Sequence, residues 1–94
     1  MRVLVIEDNK DVAANIGDFL DARGHEVDYA WDGVVGLHLA VTQPFDIIVL
    51  DLGLPGMDGL SLCRRLRQDA GSDVPVLMLT ARDTLDDRVA GLDD

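Results

Sequence analysis

The stretch Ile47-Ile48-Val49-Leu50-Asp51 decides the fold of this chain, because four consecutive apolar residues end in a single carboxylate. A short apolar run of this kind is typical of a strand that is buried on both faces of a parallel sheet. The residues that follow, 52–59, contain a proline and several glycines, a composition that favours a turn. We therefore predict that Asp51 lies at the carboxyl end of a central strand.

A second apolar run, Val3-Leu4-Val5-Ile6, also ends in acidic residues, Glu7 and Asp8. If the two runs form parallel strands, three carboxylates meet at one edge of the sheet. Two unit charges about 4 Å apart repel each other by roughly 4 kcal/mol at an effective dielectric constant of about 20. Such a cluster is stable in its ionised form only beside a cation, so the sequence predicts a divalent metal site.

The rest of the chain alternates predicted helices and strands. Glycine, proline and capping residues mark their ends. After the first strand we expect a helix capped by Asp8 or Asn9 and ended by Gly24, an exposed edge strand at 25–30, a helix at about 33–41, a strand at 45–51, a helix at 59–70 capped by Asp58, a strand at 76–79 and a last helix from about 83 to 92.

The apolar spacing predicts which helix faces are buried. In the first helix, these positions are Val12, Ile16, Phe19 and Leu20. In the second helix, Leu37 and either Ala40 or Val41 are predicted to face inward, and in the third helix Leu60, Cys63 and either Leu66 or Leu62.

The β-α unit repeated four times predicts an α/β fold with a doubly wound parallel sheet. In such sheets ligands bind outside the carboxyl ends of the strands, which is where Glu7, Asp8, Asp51 and Thr80 are expected. Because the chain has 94 residues, we expect one domain, residues 1–94.

Composition excludes several classes of function. The net charge is −10, which repels nucleic acid. No apolar run approaches the roughly 20 residues that cross a bilayer. Cys63 is the only cysteine, in keeping with a reducing compartment, and the first residues lack the features of a signal peptide. We expect a cytoplasmic protein that does not contact the membrane.

Four separated motifs resemble the receiver domain of two-component response regulators. They are Glu7-Asp8, Asp51, the stretch Leu54-Pro55-Gly56-Met57-Asp58-Gly59 and Thr80-Ala81-Arg82. The resemblance covers essentially the whole chain and implies a flavodoxin-like strand order of 2-1-3-4. Residues 79–82 and 89–94 look most like receivers that are joined to a winged-helix DNA-binding domain, so DNA binding is expected only through an output domain outside this chain.

The resemblance also implies roles for individual residues. Asp51 is expected to accept a phosphoryl group from a sensor histidine kinase, and Thr80 to be the switch hydroxyl that contacts the phosphoryl group. Asp8 and Asp51 are expected to bind Mg²⁺ directly, Glu7 through water or as a neighbouring charge, and Gly53 through its backbone carbonyl. The domain would be a regulatory phosphoacceptor, catalysing only its own phosphotransfer and dephosphorylation.

The chain departs from the family pattern near its carboxyl end. Receivers ordinarily have a fifth strand that ends in a lysine, whereas this chain stops at Asp94 and its only lysine, Lys10, is not at that position. We therefore expect a truncated receiver without the fifth strand and the last helix. Its fourth strand would be an exposed edge, so we expect either a homodimer, formed by edge pairing or by an exchange of elements, or a weakly stable monomer. Phosphorylation of this chain is expected to be slow or absent.

Other functions remain as alternatives. A haloacid dehalogenase-type phosphatase also forms an aspartyl phosphate, but it needs a second acid where this chain has Gly53. A nucleotide-binding module needs a glycine-rich phosphate motif, which is absent from the sequence. A pseudo-receiver, acting only as an unphosphorylated interaction module, stays open.

Overall fold

Strands and helices alternate along the described part of the chain. The computed structural model describes residues 1–51 and 57–79. The elements are β1 (Arg2–Ile6), α1 (Lys10–Asp21), β2 (Glu26–Ala30), α2 (Gly33–Thr42), β3 (Ile47–Asp51), α3 (Gly59–Gln68) and β4 (Val76–Leu79). The helix predicted at 83–92 lies outside the described residues. None of the described helices is long and apolar enough to span a lipid bilayer.

The four described strands form one parallel sheet in the order β2-β1-β3-β4. This order confirms the predicted fold class. In the centre of the sheet, Val3 pairs with Ile47 and Ile6 with Leu50. One residue further along each strand, Glu7 and Asp51 therefore come to the same edge.

Both faces of the sheet are covered, because alternate side chains of a strand point to opposite sides. On one face, Leu4 and Ile6 pack with Leu62 and Leu66 of α3. On the other face, Val3 and Val5 pack with Ala13 of α1, and the same cluster includes Val49 and Ile16. The helices therefore lie on both sides of the sheet, as a doubly wound fold requires.

The buried face of α1 differs from the prediction. Ile16 and Leu20 do pack on the sheet side, but Val12 and Phe19 are exposed, and the fully covered positions are Ala13 and Gly17. The reason is close approach: a Cβ on Gly17 would lie 1.7 Å from the Tyr29 hydroxyl. Small residues let the helix come near β2, and this turns the larger side chains outward.

The prediction for α3 is also partly wrong. Leu62 and Leu66, four residues apart, are fully buried, and Cys63 is half-buried. Leu60 is 61% exposed. Two residues correspond to about 200° around a helix, so Leu60 faces away from the sheet once Leu62 faces it. In α2, Leu37 and Ala40 pack against the core as predicted, whereas the alternative, Val41, is exposed.

A side-chain cap begins each described helix. Asn9 accepts hydrogen bonds from the backbone N–H groups of residues 11 and 12, which decides between the two predicted caps of α1. Asp32 caps α2, and Asp58 caps α3 as predicted. Gly24 follows α1 with a φ of +84°, a left-handed conformation that suits glycine. All three caps lie beyond the carboxyl ends of strands.

At the amino end of the strands, Arg2 connects β2 with the segment that precedes β3. Its guanidinium pairs with the Asp28 carboxylate at 2.7 Å and also bonds to Gln43, while its backbone N–H donates to Asp46 at 2.7 Å. The guanidinium carbon lies 4.7 Å from the centre of the Phe45 ring. Because Phe45 and Asp46 are engaged with Arg2, β3 begins at Ile47 rather than at the predicted residue 45.

Replacing Gly36 by alanine should destabilise the fold. A Cβ at this position of α2 would lie 2.6 to 2.9 Å from side-chain atoms of Ile6, which is fully buried. Overpacking costs about 1–3 kcal/mol, more than the roughly 0.5–1 kcal/mol that alanine gains over glycine in a helix. We expect the free energy of unfolding in urea to fall by about 1–2 kcal/mol.

Gly17→Ala is the matched control. The three atoms nearest to its new Cβ all belong to the ring end of Tyr29, a side chain that is 37% exposed and can rotate outward. The loss should therefore be smaller than that of Gly36→Ala. Equal stability of Gly36→Ala and the parent protein would contradict the packing described between α2 and β1.

Candidate metal centre

Three acidic side chains meet at the carboxyl edge of the sheet. Glu7, Asp8 and Asp51 each offer a carboxylate oxygen, and these three oxygens all lie within 4.8 Å of one another. Glu7 and Asp8 directly follow β1, and Asp51 is the last residue of β3. The pairing of β1 with β3 thus produces the convergence that the two apolar runs predict.

The three acids differ in their exposure to solvent. Glu7 is 7% exposed and Asp51 is 3% exposed, whereas Asp8 is an exposed residue. The backbone N–H of Glu7 donates to the carbonyl of Ala30 at 3.0 Å, and the Glu7 carboxylate accepts from the backbone N–H of Asn9 at 3.1 Å. These two bonds fix Glu7 between the end of β2 and the start of α1.

The surroundings of Glu7 disfavour its charged form. Burial, followed by the hydrogen bond and charge of Asp51 and the contact with Asp8, raises the pKa of Glu7 from 4.5 to about 7. The hydrogen bond from Asn9 acts in the opposite direction, but it does not overcome burial. A cation among the three carboxylates would favour the ionised form of Glu7.

The donor set fits a small hard cation. Mg²⁺ binds oxygen at about 2.0–2.1 Å in octahedral geometry, so oxygens that share one ion lie about 2.9 to 4.2 Å apart. The three carboxylate oxygens, with no separation above 4.8 Å, lie close enough together that modest side-chain movements would bring them to one ion. Because Mg²⁺ keeps several waters, this number of protein ligands is sufficient.

Two predicted site residues, Gly53 and Thr80, lie outside the described residues. Asp58 is described, and it serves a different purpose. Its two carboxylate oxygens accept from the backbone N–H and the hydroxyl of Ser61, both at 2.9 Å, and these bonds lower the pKa of Asp58. Asp58 is therefore a helix cap, as predicted, and is not a member of the acidic cluster.

Sequence reasoning missed a group of side chains at the same edge of the sheet as the cluster. The Trp31 ring stacks on the Tyr29 ring with centroids 5.7 Å apart, and the Lys10 ammonium lies 5.6 Å from the centre of the Trp31 ring. A signal was present in the sequence, since Lys10 follows the first acidic pair and Trp31 follows the second strand. Both positions belong to the carboxyl edge.

Replacing Glu7 by glutamine should stabilise the metal-free protein, and more so at high pH. Because the pKa of Glu7 is raised to about 7 in the folded state, the folded protein holds a proton that the unfolded chain has lost between pH 4.5 and 7. Stability from this group is therefore present below pH 4.5 and is lost as the pH rises through 7. Glutamine removes this loss and keeps an oxygen for the Asn9 bond.

The measurement is urea unfolding of both proteins at pH 5 and pH 8 in the presence of a chelator. The advantage of Glu7→Gln should be larger at pH 8. An advantage that is the same at both values would show that Glu7 does not carry the raised pKa.

Comparison with known proteins gives the family. The model of the response regulator receiver domain family matches residues 3–94. Response regulator MprA of Mycobacterium avium (strain 104) is 44% identical over 93 residues, covering 99% of this chain and 40% of that protein. MprA of Mycobacterium bovis (strain BCG / Pasteur 1173P2) is 43% identical with the same coverage. The chain thus spans 40% of the length of these relatives.

Solved structures agree with the sequence comparison. The receiver domain of the Francisella response regulator 1452 superposes with a TM-score of 0.82 at 35% identity, covering 98% of this chain and 75% of that chain. A chain from the complex of histidine kinase ThkA with response regulator protein TrrA gives a TM-score of 0.79 at 27% identity, covering 89% of this chain and 72% of that chain. The strand order, the acidic edge and these matches agree: this chain belongs to the response regulator receiver domain family.

Proposed function

We propose that Asp51 is the phosphoacceptor of this receiver and that it takes a phosphoryl group from a sensor histidine kinase with Mg²⁺ bound beside it. The observation that carries the proposal is the convergence of Glu7, Asp8 and Asp51 within 4.8 Å at the carboxyl edge of the sheet. In open α/β sheets this edge is where ligands bind.

The environment of the three acids favours Asp51 as the nucleophile. Its side chain ends the central strand β3 and is 3% exposed, so its position is fixed by the sheet. Glu7 has a pKa raised to about 7 and holds its proton more tightly, while Asp8 is exposed. In the reaction, a carboxylate oxygen of Asp51 forms a bond to phosphorus as the bond from phosphorus to the kinase histidine breaks.

Mg²⁺ supplies charge neutralisation for the phosphoryl oxygens in this chemistry. Asp8 and Asp51 would hold the ion directly, and Glu7 would act through water or as a neighbouring charge. The carbonyl of Gly53 and the hydroxyl of Thr80 complete the proposed site, as a further metal ligand and as the group that senses the phosphoryl. These two roles rest on the family resemblance.

The proposed partners follow from the family and from charge. A sensor histidine kinase is the phosphoryl donor, and the structure of ThkA with TrrA is a complex of a histidine kinase with a response regulator protein. The net charge of −10 disfavours DNA binding by this chain, so transcriptional output would come from a DNA-binding domain outside it. The protein would act in the cytoplasm as a regulatory domain rather than as an enzyme with a separate substrate.

Asp51→Asn should abolish Mg²⁺-dependent formation of an acyl phosphate. The amide keeps the shape of the side chain but is a far weaker nucleophile. The measurement is incorporation of label from a small acyl phosphate, with and without chelator. It should be made on this chain and on a form extended by a fifth strand that ends in lysine, since that lysine is part of the family pattern.

Asp58→Asn is the matched control, because Asp58 caps α3 and asparagine is an equally good cap. It should be labelled like the parent protein. Label that persists in Asp51→Asn would contradict the assignment of the acceptor. Absence of label in both parent forms would favour an unphosphorylated interaction module.

We also propose that β4 mediates self-association. Leu77 and Met78, adjacent residues of this strand whose side chains leave opposite faces, are 51% and 39% exposed. β4 ends the described sheet on one side, and apolar edge strands are sites of pairing between chains.

Leu77→Lys should therefore shift the protein toward monomer, because a charge on an edge strand opposes pairing. Sedimentation velocity over a micromolar concentration series is the measurement. Val34→Lys, at another exposed apolar position, should leave the association unchanged. A parent protein that is monomeric throughout the series would overturn the proposal.

A further inference from the structure

A lysine, a tryptophan and a tyrosine form a stack where α1 begins and β2 ends. The Lys10 ammonium lies 5.6 Å from the centre of the Trp31 ring, within the range of a cation–π contact. Trp31 in turn lies parallel to Tyr29, with 7° between the ring planes. The stack therefore gives the flexible lysine side chain a defined position.

Backbone bonds connect both ends of this contact to Glu7. Lys10 follows Asn9, whose N–H donates to the Glu7 carboxylate at 3.1 Å. Trp31 follows Ala30, whose carbonyl accepts from the Glu7 N–H at 3.0 Å. The cation and its aromatic platform are thus each one residue away from a group that holds the metal-binding edge in place.

The Lys10 ammonium contacts the Trp31 ring and does not pair with a described carboxylate. Within residues 1–51 and 57–79, Arg2 and Asp28 form the ion pair of the structure, and Lys10 has no carboxylate within 4.0 Å. Lys10 is also the only lysine in a chain of net charge −10. The contact with Trp31 therefore places the positive charge of Lys10 where α1 begins, at the same edge of the sheet as the three carboxylates and outside ion-pair distance of them.

We propose that Lys10, held by Trp31, is a charge-positioning residue of the acidic site. Its ammonium adds positive potential at the mouth of the site, which attracts an anionic phosphoryl donor and opposes binding of Mg²⁺. The attraction of the donor rests on the proposed function, whereas the effect on Mg²⁺ does not. An electrostatic potential of this kind acts over several ångströms. It changes the rate at which a charged ligand associates more than it changes the rate of the chemical step.

The two effects have opposite signs, which separates this role from a structural one. Loss of the ammonium should tighten Mg²⁺ binding and raise the KM for the phosphoryl donor. Loss of local structure would weaken the binding of both. The size of both effects follows from the Coulomb interaction between charges that are separated by partly solvated space. We expect the Mg²⁺ dissociation constant and the KM for the donor each to change about two- to fivefold.

Calorimetric titration of Mg²⁺ into the 94-residue chain tests the first effect. Lys10→Gln should lower the dissociation constant about two- to fivefold. Arg23→Gln is the matched control, because Arg23 is also a cation over an aromatic ring, 3.6 Å from the centre of Phe19, but follows the far end of α1. It should leave the constant unchanged. An equal response of the two variants, or weaker binding in Lys10→Gln, would overturn the proposal.

Phosphorylation by a small acyl phosphate tests the second effect, and it is measured on the form extended by a fifth strand that ends in lysine, because phosphorylation of the 94-residue chain is expected to be slow or absent. Lys10→Gln should raise KM about two- to fivefold with kcat retained, and the difference from the parent should shrink at high salt. A change confined to kcat would contradict a steering role. If Asp51→Asn keeps its label, the proposed function fails instead, and the Mg²⁺ titration still decides whether Lys10 places charge at the site.

A double-mutant cycle tests the platform. In a Trp31→Leu background, the unanchored lysine spreads over more solvated positions, so Lys10→Gln should change the Mg²⁺ dissociation constant less than it does in the parent. An undiminished change would show that Trp31 does not position Lys10.

Discussion

The parallel pairing of β1 with β3 is the constraint on which the rest of this molecule depends. Four residues of each strand pair in register, from Val3 with Ile47 to Ile6 with Leu50, and every side chain in these pairs is at least half-buried. A slip by one residue would turn each buried side chain toward the opposite helical layer. The packing on both faces therefore fixes the register, and the register places the acids side by side.

The carboxyl edge carries an electrostatic cost that the interior of the protein offsets. Glu7 and Asp51 are almost completely buried, and the pKa of Glu7 is raised first by this burial and then by the neighbouring Asp51 and Asp8. Functional sites are where perturbed pKa values concentrate, because the arrangement serves a ligand rather than the free protein. The apolar interior of the sheet provides the stability that lets the edge hold like charges.

Much of this structure could be predicted from the residues. The apolar runs at 3–6 and 47–50 locate the central strands, and Asn9, Asp32 and Asp58 begin helices because short polar side chains satisfy free backbone N–H groups. The convergence of the three acids follows once the two apolar runs form neighbouring parallel strands.

Other features depend on distances that no sequence pattern contains. Val12, Phe19 and Leu60 are apolar residues at plausible helical spacing, yet each is exposed. The orientation of a helix depends on which small residues let it approach the sheet, and this is a property of two elements together. The contact between Lys10 and Trp31 was missed for the same reason, since it joins residues of α1 and the end of β2 that lie far apart in sequence.

The contacts of Arg2 lie at the end of the strands opposite to the acidic edge. Beside Arg2, the carbonyl of Met1 accepts from the N–H of Glu26 at 2.9 Å, and the amino group of Met1 lies 3.2 Å from Nδ1 of His25. A fluorescent dye coupled to that amino group would lie at the start of β2, at the opposite end of the strands from the carboxylates. Its fluorescence would depend on whether β1 and β2 are paired. It would change little when a ligand binds at the acidic edge.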